Sequence, residues 1–481
     1  MKKRNFVLLI AAGNFLAACS VPVETEAGPP IPIASLDRDT VSRPNVIFIL
    51  VDDMGFGDVG YNGSEIATPN LDQMASAGMT LDRNYVYPIC SPTRTGLLTG
   101  SNPLDYGIDG PMAADTGMPR DLKIMPEYFK ELGYQTFMVG KWHLGKSNTD
   151  YWPISRGFDS HYGFLSGFID FYSHVYAGGL DWQKNGVSLR EEGHATDLFT
   201  AEAKRVIDTR DTASPFFLYL AYNAPHAPLQ TTPEDSGLNS EIKPGNRYVY
   251  AEMVTQLDDG IGQLIDELEK QGILENTIVV FSSDNGGSLS LGSSNGDLRG
   301  AKGSSFEGGV RVPGLIMWAN HIKAGEVLTQ QIVVQDWLPT LLDAVGGNSS
   351  NLEKLDGQSM WQAIDRGVKI DRAQTILGSS SGRAVFDWPW KLVRMGADGE
   401  HQLYNVIDDP YEQEDLAREQ PEILAKLAAV LEAMPDVPTR RAVNDAAKSG
   451  SRSARNTAID YEARAEETRS PWAEAAVRGR N

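Results

Sequence analysis

The sequence predicts an α/β fold in which a large mixed sheet lies between layers of helices. From Pro44 onward, apolar β-branched segments alternate with amphipathic ones, which is typical of strands joined by helices. The chain has 481 residues, of which 41% are hydrophobic and 22% charged, so it can bury a large core. After about residue 370 the pattern changes to short strand candidates and one helix, which indicates a small antiparallel sheet.

The segments of the main domain, residues 44–369, follow from apolar runs and their periodicity. Runs of the fully buried type predict strands at residues 45–51, 134–139, 215–222, 277–282 and 310–318. Amphipathic segments with glycine or proline at their ends predict helices at residues 69–78, 92–99, 125–132, 197–209, 248–271 and 336–345.

Residues 370–435 form the predicted C-terminal small α+β subdomain. Its strand candidates are residues 375–377, 384–386, 390–394 and 401–405, and its helix is predicted at 421–433. Beyond it, residues 436–481 are rich in Ala, Arg, Glu and Ser with few apolar anchors, and we interpret them as a polar tail.

The N-terminus carries the features of a targeting segment. Three basic residues precede an apolar stretch, residues 6–18, that is too short to span a bilayer. The segment LAAC, residues 16–19, resembles a bacterial lipobox, whose cysteine is acylated after cleavage. We therefore expect a lipoprotein signal peptide at 1–18, lipidation of Cys19 and a tether over 19–43. The alternative is an ordinary signal peptide that is cut near a cysteine.

This interpretation places the protein outside the cytoplasm. It would be an outer-membrane-anchored lipoprotein, or a periplasmic protein, of a Gram-negative bacterium. The body of the chain has no apolar run of about 18 residues, so a lipid anchor is the membrane contact that we expect.

Charge and cysteine content exclude other classes. Lys and Arg total 43 against 64 Asp and Glu, a net charge of −21, which disfavours nucleic-acid binding because phosphate contacts need basic side chains. The only cysteines are Cys19 and Cys90, so a disulfide scaffold is excluded.

Four of the predicted strands are each followed by a polar cluster. The clusters are Asp52-Asp53, GKWHLG at 140–145, NAPH at 223–226 and DNGG at 284–287. Ligands of open α/β sheets bind beyond the carboxyl ends of the strands. If these strands are parallel, the four clusters meet at one edge of the sheet.

The acidic clusters suggest a metal. Asp52, Asp53, Asp284 and Asn285 offer hard oxygen ligands, which suit Ca²⁺ or Mg²⁺ better than Zn²⁺. Carboxylates held side by side would repel one another without a cation. The alternative is that the first pair caps a helix and the second forms a turn.

Cys90 lies in the segment CSPTR, residues 90–94, before a predicted helix. A helix N-terminus favours anions and lowers the pKa of a thiol, so Cys90 is a candidate nucleophile. The alternative is a small buried hydrophobic residue. A thiol phosphatase loop would have its arginine six residues after the cysteine, but here Arg94 comes four residues after it.

Together these motifs resemble those of the type I sulfatases, closest to the arylsulfatase and N-acetylgalactosamine-4-sulfatase-like branch. CSPTR with LTG (98–100) resembles the first signature, and GYQT (133–136) with GKWHLG resembles the second. DDMG (52–55), NAPH, SDNG (283–286) and LRGAKG (298–303) match further elements in order. The resemblance implies an alkaline-phosphatase-like fold.

The resemblance also implies a cofactor and a modification. A separate activating enzyme, such as a formylglycine-generating enzyme, would convert Cys90 to formylglycine (3-oxoalanine). Its hydrate would attack the sulfur of a sulfate ester. Ca²⁺, with Mg²⁺ less favoured, would be held by Asp52, Asp53, Asp284, Asn285 and residue 90.

The remaining roles come from the same resemblance. Arg94 and Lys141 would fix the hydrate and neutralise sulfate charge, and His143 would take a proton as sulfate is expelled. His226 and Lys302 would hold the sulfate and protonate the leaving oxygen, with the division between them open. The further substrate-binding candidates are His174 and Arg299.

The expected substrate is a sulfated oligosaccharide or polysaccharide, cleaved in exo fashion, with a 4-sulfate on a galacto-configured ring favoured. Chondroitin, dermatan and carrageenan fragments share that group. One alternative is a phosphate or phosphonate ester hydrolase of the same superfamily. Another is a non-catalytic lipoprotein that binds sulfated glycan.

Overall fold

A computed structural model describes residues 43–112, 116–352, 355–396, 399–435 and 437. All of them belong to one compact unit. The predicted signal peptide and Cys19 lie outside the described residues. So do the tether, except for Arg43, and the polar tail, except for Val437.

The strands of the main body are short apart from four long central ones. In chain order they are β1 (Asn45–Val51), β2 (Met79–Leu81), β3 (Asn84–Tyr85), β4 (Gln135–Lys141), β5 (Ser160–Phe164), β6 (Val175–Tyr176), β7 (Gly179–Leu180), β8 (Gln183–Lys184), β9 (Val187–Ser188), β10 (Phe216–Ala221), β11 (Thr277–Ser283), β12 (Gly314–Met317), β13 (Glu326–Leu328) and β14 (Ile332–Val333). Ten of these described strands form one mixed sheet, in the order β13-β2-β12-β11-β1-β10-β4-β5-β8-β9.

The centre of this sheet is parallel, as the strand-end argument required. Strand β1 pairs in parallel with both β10 and β11, and β10 pairs in parallel with β4. Every residue of β1 is buried, because helices cover both faces of the sheet. The carboxyl ends of β1, β4, β10 and β11 therefore lie at the same edge.

The helices divide into two layers. In chain order they are α1 (Pro69–Ala77), α2 (Cys90–Thr99), α3 (Met125–Glu131), α4 (Ala195–Thr209), α5 (Asn246–Lys270), α6 (Glu307–Val310), α7 (Trp337–Ala344) and α8 (Trp361–Arg366). Alternate residues of β1 point to opposite faces. Phe48 packs in a core that includes residues of α2, α3 and α7, whereas Ile49 packs in a core that includes residues of α1, α4 and α5.

The C-terminal part forms a separate antiparallel sheet, as predicted. Its strands pair in sequence, and helix α9 (Pro421–Glu432) follows them. Leu392 and Leu403 pack with Leu427 of α9, whereas Phe386 and Tyr404 join the core of the main body. The small sheet is thus sandwiched between α9 and the large domain. Its strands are β15 (Thr375–Ser379), β16 (Gly382–Asp387), β17 (Trp390–Met395) and β18 (His401–Asn405).

The structure differs from the prediction mainly in the short elements. Strands β2, β3, β5–β9, β13 and β14 span two to five residues, which is too short for a clear apolar periodicity. Helix α2 begins at Cys90, two residues before the predicted start. Within the described ranges we find no helix with the length and apolar character that a membrane span needs.

Candidate active site

The four polar clusters meet at the carboxyl edge of the parallel strands. Backbone hydrogen bonds connect the strand ends. The Asp52 amide donates to the Ala224 carbonyl (3.1 Å), and the Asp284 amide donates to the Val51 carbonyl (2.9 Å). The strand ends therefore place the predicted acidic residues at adjacent positions.

The predicted metal ligands form one buried group. The Asp53 amide donates to Asp284 Oδ1 (3.3 Å), and Asn285 Nδ2 donates to Asp53 Oδ1 (2.8 Å). Asp52, Asp284 and Asn285 are fully buried, and Asp53 is nearly so. Asp52 and Asp53 also present oxygens within 4.8 Å of each other and of a His226 ring nitrogen.

Each carboxylate of this group has a basic partner. Lys141 Nζ lies 2.5 Å from Asp52 Oδ2, and Lys302 Nζ lies 2.5 Å from Asp53 Oδ1. The third pair is a guanidinium–carboxylate contact, in which Arg94 Nη2 and Nε donate to Asp284 Oδ2 at 2.8 and 3.0 Å. Three formal negative charges thus face three positive ones, so an added divalent cation would leave the site positive and able to attract an anion.

Burial and neighbouring charges shift the pKa values of two of these carboxylates in opposite directions. Burial, followed by the charge of Asp52, raises the pKa of Asp284 to about 7. Burial alone would also raise the pKa of Asp52, but the charges of Lys141 and His226 hold it below the ordinary value. A bound cation would favour the ionised form of both groups.

The chain's own residues fit Ca²⁺. Asp52 Oδ1 and Asn285 Oδ1 are buried and find no hydrogen-bond partner in the part of the chain that the structure describes, although buried polar atoms normally have one. Both are hard oxygen donors beside two further carboxylates, the donor set that Ca²⁺ and Mg²⁺ prefer. His226 offers a nitrogen, which suits these ions poorly, and its Nε2 lies 3.6 Å from Asp53 Oδ2 as an ion-pair partner.

Cys90 is the first residue of α2 and faces the histidine of the second motif. Its Sγ lies 3.2 Å from His143 Nδ1, and both residues are buried. Burial raises the pKa of the Cys90 thiol, so the lowering expected at a helix N-terminus is not found for the unmodified cysteine. Burial together with Lys141 lowers the pKa of His143 well below its ordinary value. Arg94, one helical turn after Cys90, also donates to the Lys141 carbonyl (2.9 Å).

Two residues at the same edge have left-handed backbone conformations. Asp53 has φ +69° and His143 has φ +58°, left-handed conformations that cost a non-glycine residue energy and tend to occur at functional sites. Gly140 has φ +110°, and a Cβ there would lie 1.9 Å from the Ala221 carbonyl oxygen. Only glycine therefore lets β4 approach β10 closely enough to place Lys141 and His143 at the edge.

A cleft of about 280 Å³ opens above this group. Cys90, His143, His226 and Lys302 line it together, so four predicted catalytic residues share one solvent-accessible space. Arg94 and Lys141 are fully buried below, where they contact the carboxylates.

The two predicted substrate-binding residues do not line this cleft. His174 is buried and stacks on Trp182, with ring centroids 4.1 Å apart. Arg299 lies over the Phe306 ring at 3.9 Å and donates to the Tyr404 hydroxyl (2.8 Å), so it connects the main body with the C-terminal sheet.

Sequence reasoning missed other residues of the cleft. Lys146, Phe168 and Tyr176 line its wall, and the sequence motifs assign a role to none of them, although Phe168 lies in the same segment as the substrate-binding candidate His174. Lys146 lies directly after GKWHLG, whereas Phe168 lies many residues before His226. Their spacing in the sequence therefore does not indicate that they share one cleft. Asn223 belongs to NAPH, and both polar atoms of its buried amide are without a hydrogen-bond partner among the described residues.

Comparison with known proteins agrees with this geometry. The model of the family described as Sulfatase matches residues 44–347. Arylsulfatase J of Mus musculus is 34% identical over 446 residues, which cover 80% of this chain and 75% of that protein. N-acetylgalactosamine-6-sulfatase of Mus musculus is 33% identical over 383 residues, 72% of each. A crystal structure of Ps i-CgsB in complex with k-i-k-neocarrahexaose has a TM-score of 0.77 at 33% identity, covering 87% of this chain and 100% of that one.

The chain belongs to the sulfatase family. Its fold is alkaline-phosphatase-like, with the large mixed sheet and the small C-terminal sheet that the sequence predicted. The protein is a sulfuric ester hydrolase, and the predicted family and enzyme class are confirmed.

Proposed function

We propose that the protein hydrolyses sulfate esters on a sulfated glycan, using formylglycine at residue 90 and Ca²⁺. The observation that carries this proposal is the 3.2 Å approach of Cys90 Sγ to His143 Nδ1 in the cleft beside the buried carboxylates. Formylglycine would supply a hydroxyl nucleophile when hydrated, and Ca²⁺ would polarise that group and a sulfate oxygen.

The residues of the chain then have separate tasks. Asp52, Asp53, Asp284 and Asn285 would hold the cation, since they combine ionised oxygens with two unpartnered acceptors. Arg94 keeps Asp284 in place through two hydrogen bonds to one carboxylate oxygen.

We assign proton transfer to His143 and His226. His143 Nδ1 is within hydrogen-bond reach of the side chain at residue 90, so it would accept a proton from the nucleophile's second hydroxyl as sulfate is released. His226 and Lys302 line the cleft beside Asp53, where they would bind the sulfate and protonate the leaving sugar oxygen.

The substrate class rests on named relatives and on the cleft. Ps i-CgsB was solved with an oligosaccharide, and another relative is named for N-acetylgalactosamine, a galacto-configured sugar. We therefore propose a galacto-configured sulfated glycan, attacked at a chain end. The sequence resemblance favours the 4-sulfate, whereas the relative N-acetylgalactosamine-6-sulfatase is named for a 6-sulfate.

Sulfate release tests this function. The protein would be co-expressed with a formylglycine-generating enzyme, supplied with Ca²⁺, and given galacto-oligosaccharides sulfated at position 4 or position 6. Cys90→Ala serves as the blank. Release from the 4-sulfated sugar alone supports the full proposal, and release from the 6-sulfated sugar alone corrects the position.

Two further arms address the alternatives. Matched phosphate and phosphonate esters would be turned over faster than the sulfate ester if the protein belonged to that hydrolase class. Peptide mass spectrometry of residue 90 from the native host would show an unmodified cysteine if the protein only bound glycan.

We also propose that the protein is exported and anchored through a lipid on Cys19. The basic start, the short apolar stretch and LAAC support this proposal. Labelling of cells with a fatty acid analogue should mark the wild type and not Cys19→Ser. Label-free wild-type protein in the soluble periplasmic fraction would favour the ordinary signal peptide.

A further inference from the structure

We propose that Lys146, Phe168 and Tyr176 form a saccharide subsite that binds a sugar carrying a second anionic group, either sulfate or carboxylate. We call these three residues the cleft wall. The inference rests on the proposed function, because it assigns the chemistry of the glycan that the same cleft receives.

The first observation concerns the charge of Lys146. Its ammonium donates to Ser166 Oγ at 3.1 Å, but within the described part of the chain no carboxylate lies within 4.0 Å of it. The other lysine that lines the cleft, Lys302, is paired with Asp53. In a protein with 64 acidic residues, a half-buried lysine outside ion-pair distance of any described carboxylate, on which Asp181 acts only as a more distant negative charge, is available to an anionic ligand.

The second observation concerns the aromatic rings beside that charge. Lys146 Nζ lies 4.2 Å from the centre of the Tyr176 ring, and the Phe168 ring packs edge-on against Tyr176 at 5.2 Å. Phe168 also stacks on the His226 ring at 5.6 Å and is 43% exposed. An exposed ring beside a proposed catalytic histidine offers the apolar face on which a sugar ring packs.

The third observation is that buried groups fix this wall. Asp181, nearly fully buried, accepts hydrogen bonds from the Leu165 and Ser166 amides at 3.0 and 2.8 Å, which holds the strand end before Phe168. Tyr176 sits on the hairpin β6–β7, whose turn residues both have positive φ, as a tight hairpin turn requires.

His174 supports the same hairpin from below. Its amide donates to the Asp170 carbonyl (3.0 Å), and its ring stacks on Trp182. His174 therefore lies at the base of this hairpin, outside the lining of the cleft. The wall is a prearranged surface rather than a loose loop, so binding a sugar there costs little ordering.

A binding measurement tests the subsite without relying on turnover. Protein carrying Cys90→Ala would be titrated calorimetrically, in the presence of Ca²⁺, with three oligosaccharides that share one galacto-configured sulfate. The first has no other charge, the second has a sulfate on the neighbouring sugar, and the third has a uronic carboxylate there. The second and third substrates separate the two sources of negative charge.

The variants are Lys146→Met, Lys146→Arg and a control, Lys323→Met, which removes the same charge from a side chain that is 80% exposed. We expect Lys146→Met to weaken binding of a doubly anionic sugar about tenfold, and of the singly anionic sugar about twofold or less. Lys146→Arg should keep most of the preference, and Lys323→Met should leave all three affinities as in the parent. Phe168→Ala should weaken all three about equally.

Equal losses of affinity for singly and doubly anionic sugars in Lys146→Met, or none, would overturn the subsite. Failure of the proposed function looks different, since the formylglycine-bearing wild type would then release no sulfate from any of the three sugars. If sulfate is released while Lys146→Met leaves the preference unchanged, only the subsite is wrong.

Discussion

Two clusters in this protein bury carboxylates together with basic side chains, but only one of them adjoins the catalytic cleft. One is the group of Asp52, Asp53 and Asp284 with its basic partners at the sheet edge. The other, which we call the junction cluster, comprises Lys391, Glu307, Glu412 and Tyr85 between the C-terminal sheet and the main body.

The junction cluster pairs its charges internally, although Glu412 Oε1 accepts no hydrogen bond within the described residues and has only its ion-pair contact with Lys391. Lys391 Nζ lies 2.8 Å from both Glu307 Oε1 and Glu412 Oε1, and all three side chains are fully buried. The Glu307 amide donates to Glu412 Oε2 (2.7 Å), and the Tyr85 hydroxyl donates to Glu307 Oε2 (2.8 Å). None of these residues lines the catalytic cleft.

The group of Asp52, Asp53 and Asp284, in contrast, has unused hydrogen-bond acceptors beside a cavity. Among the described residues, no hydrogen-bond partner is found for its buried Asp52 Oδ1 or for Asn285 Oδ1 beside it, and His226 and Lys302 line the adjoining cleft. Burial of charge therefore does not by itself mark a functional site. Unused acceptors next to a cavity do, because they leave room for a ligand that the fold itself does not supply. The following variants test this difference, from the largest expected effect to the smallest.

Cys90→Ala should abolish function without unfolding the protein. We expect sulfate release to fall at least about 10³-fold, because the proposed nucleophile is removed. The free energy of unfolding should change by about 1 kcal/mol or less. Denaturant unfolding and sulfate assays on one preparation would check both, and a variant that keeps its activity would exclude residue 90 as the nucleophile.

Lys391→Met should lower the stability of the protein and leave its activity largely unchanged. It leaves Glu412 buried without its cation and Glu307 with only the longer contact to Arg311 Nη1 (3.8 Å), which costs about 3–5 kcal/mol of stability. The activity of the fraction that stays folded should remain within about threefold of wild type. Lys323→Met is the matched control, since its parent side chain is exposed. Loss of activity at full stability would show that the junction cluster acts in catalysis.

Ca²⁺ should stabilise the wild type and not Asp52→Asn. At a hundredfold excess over the dissociation constant, binding to the folded state adds about 2.7 kcal/mol. Each variant is compared with itself plus and minus Ca²⁺, so the lost contact with Lys141 does not disturb the result. Mg²⁺ should give a smaller gain. An equal gain in both proteins would place the cation elsewhere.

His174→Phe should reduce the free energy of unfolding that the protein loses between neutral and acid pH. Burial lowers the pKa of His174 to about 4 from 6.5, so its neutral form stabilises the fold above pH 6.5 and that contribution is lost as the pH falls toward 4. The lost contribution is about 2 kcal/mol at pH 5. Phenylalanine retains a ring that can stack on Trp182 and does not titrate.

Unfolding curves of the two proteins at pH 5 and pH 7.5 isolate this effect. Any constant offset from the positive φ at His174 cancels in the difference between the two pH values. If both proteins lose the same free energy between pH 7.5 and 5, the titration of His174 has no part in acid unfolding.

The sequence predicted the long elements and the parts of the site that they carry. Residues 45–51 were predicted as a strand with the bounds that β1 has, because a parallel strand covered on both faces is continuously apolar. The residues after β1, β4, β10 and β11 could be grouped without coordinates, since parallel strands end at one edge.

What the sequence determined by itself is the family, the fold class and the grouping of the polar clusters at one sheet edge, because these are written in local periodicity and in fixed spacings. Only the tertiary structure decided which of the other residues face the cleft. His174 stacks on Trp182 in the core, whereas Lys146 and Tyr176, thirty residues apart, meet at its wall. Such contacts depend on how short strands and hairpins fold back on one another, and no local pattern records them.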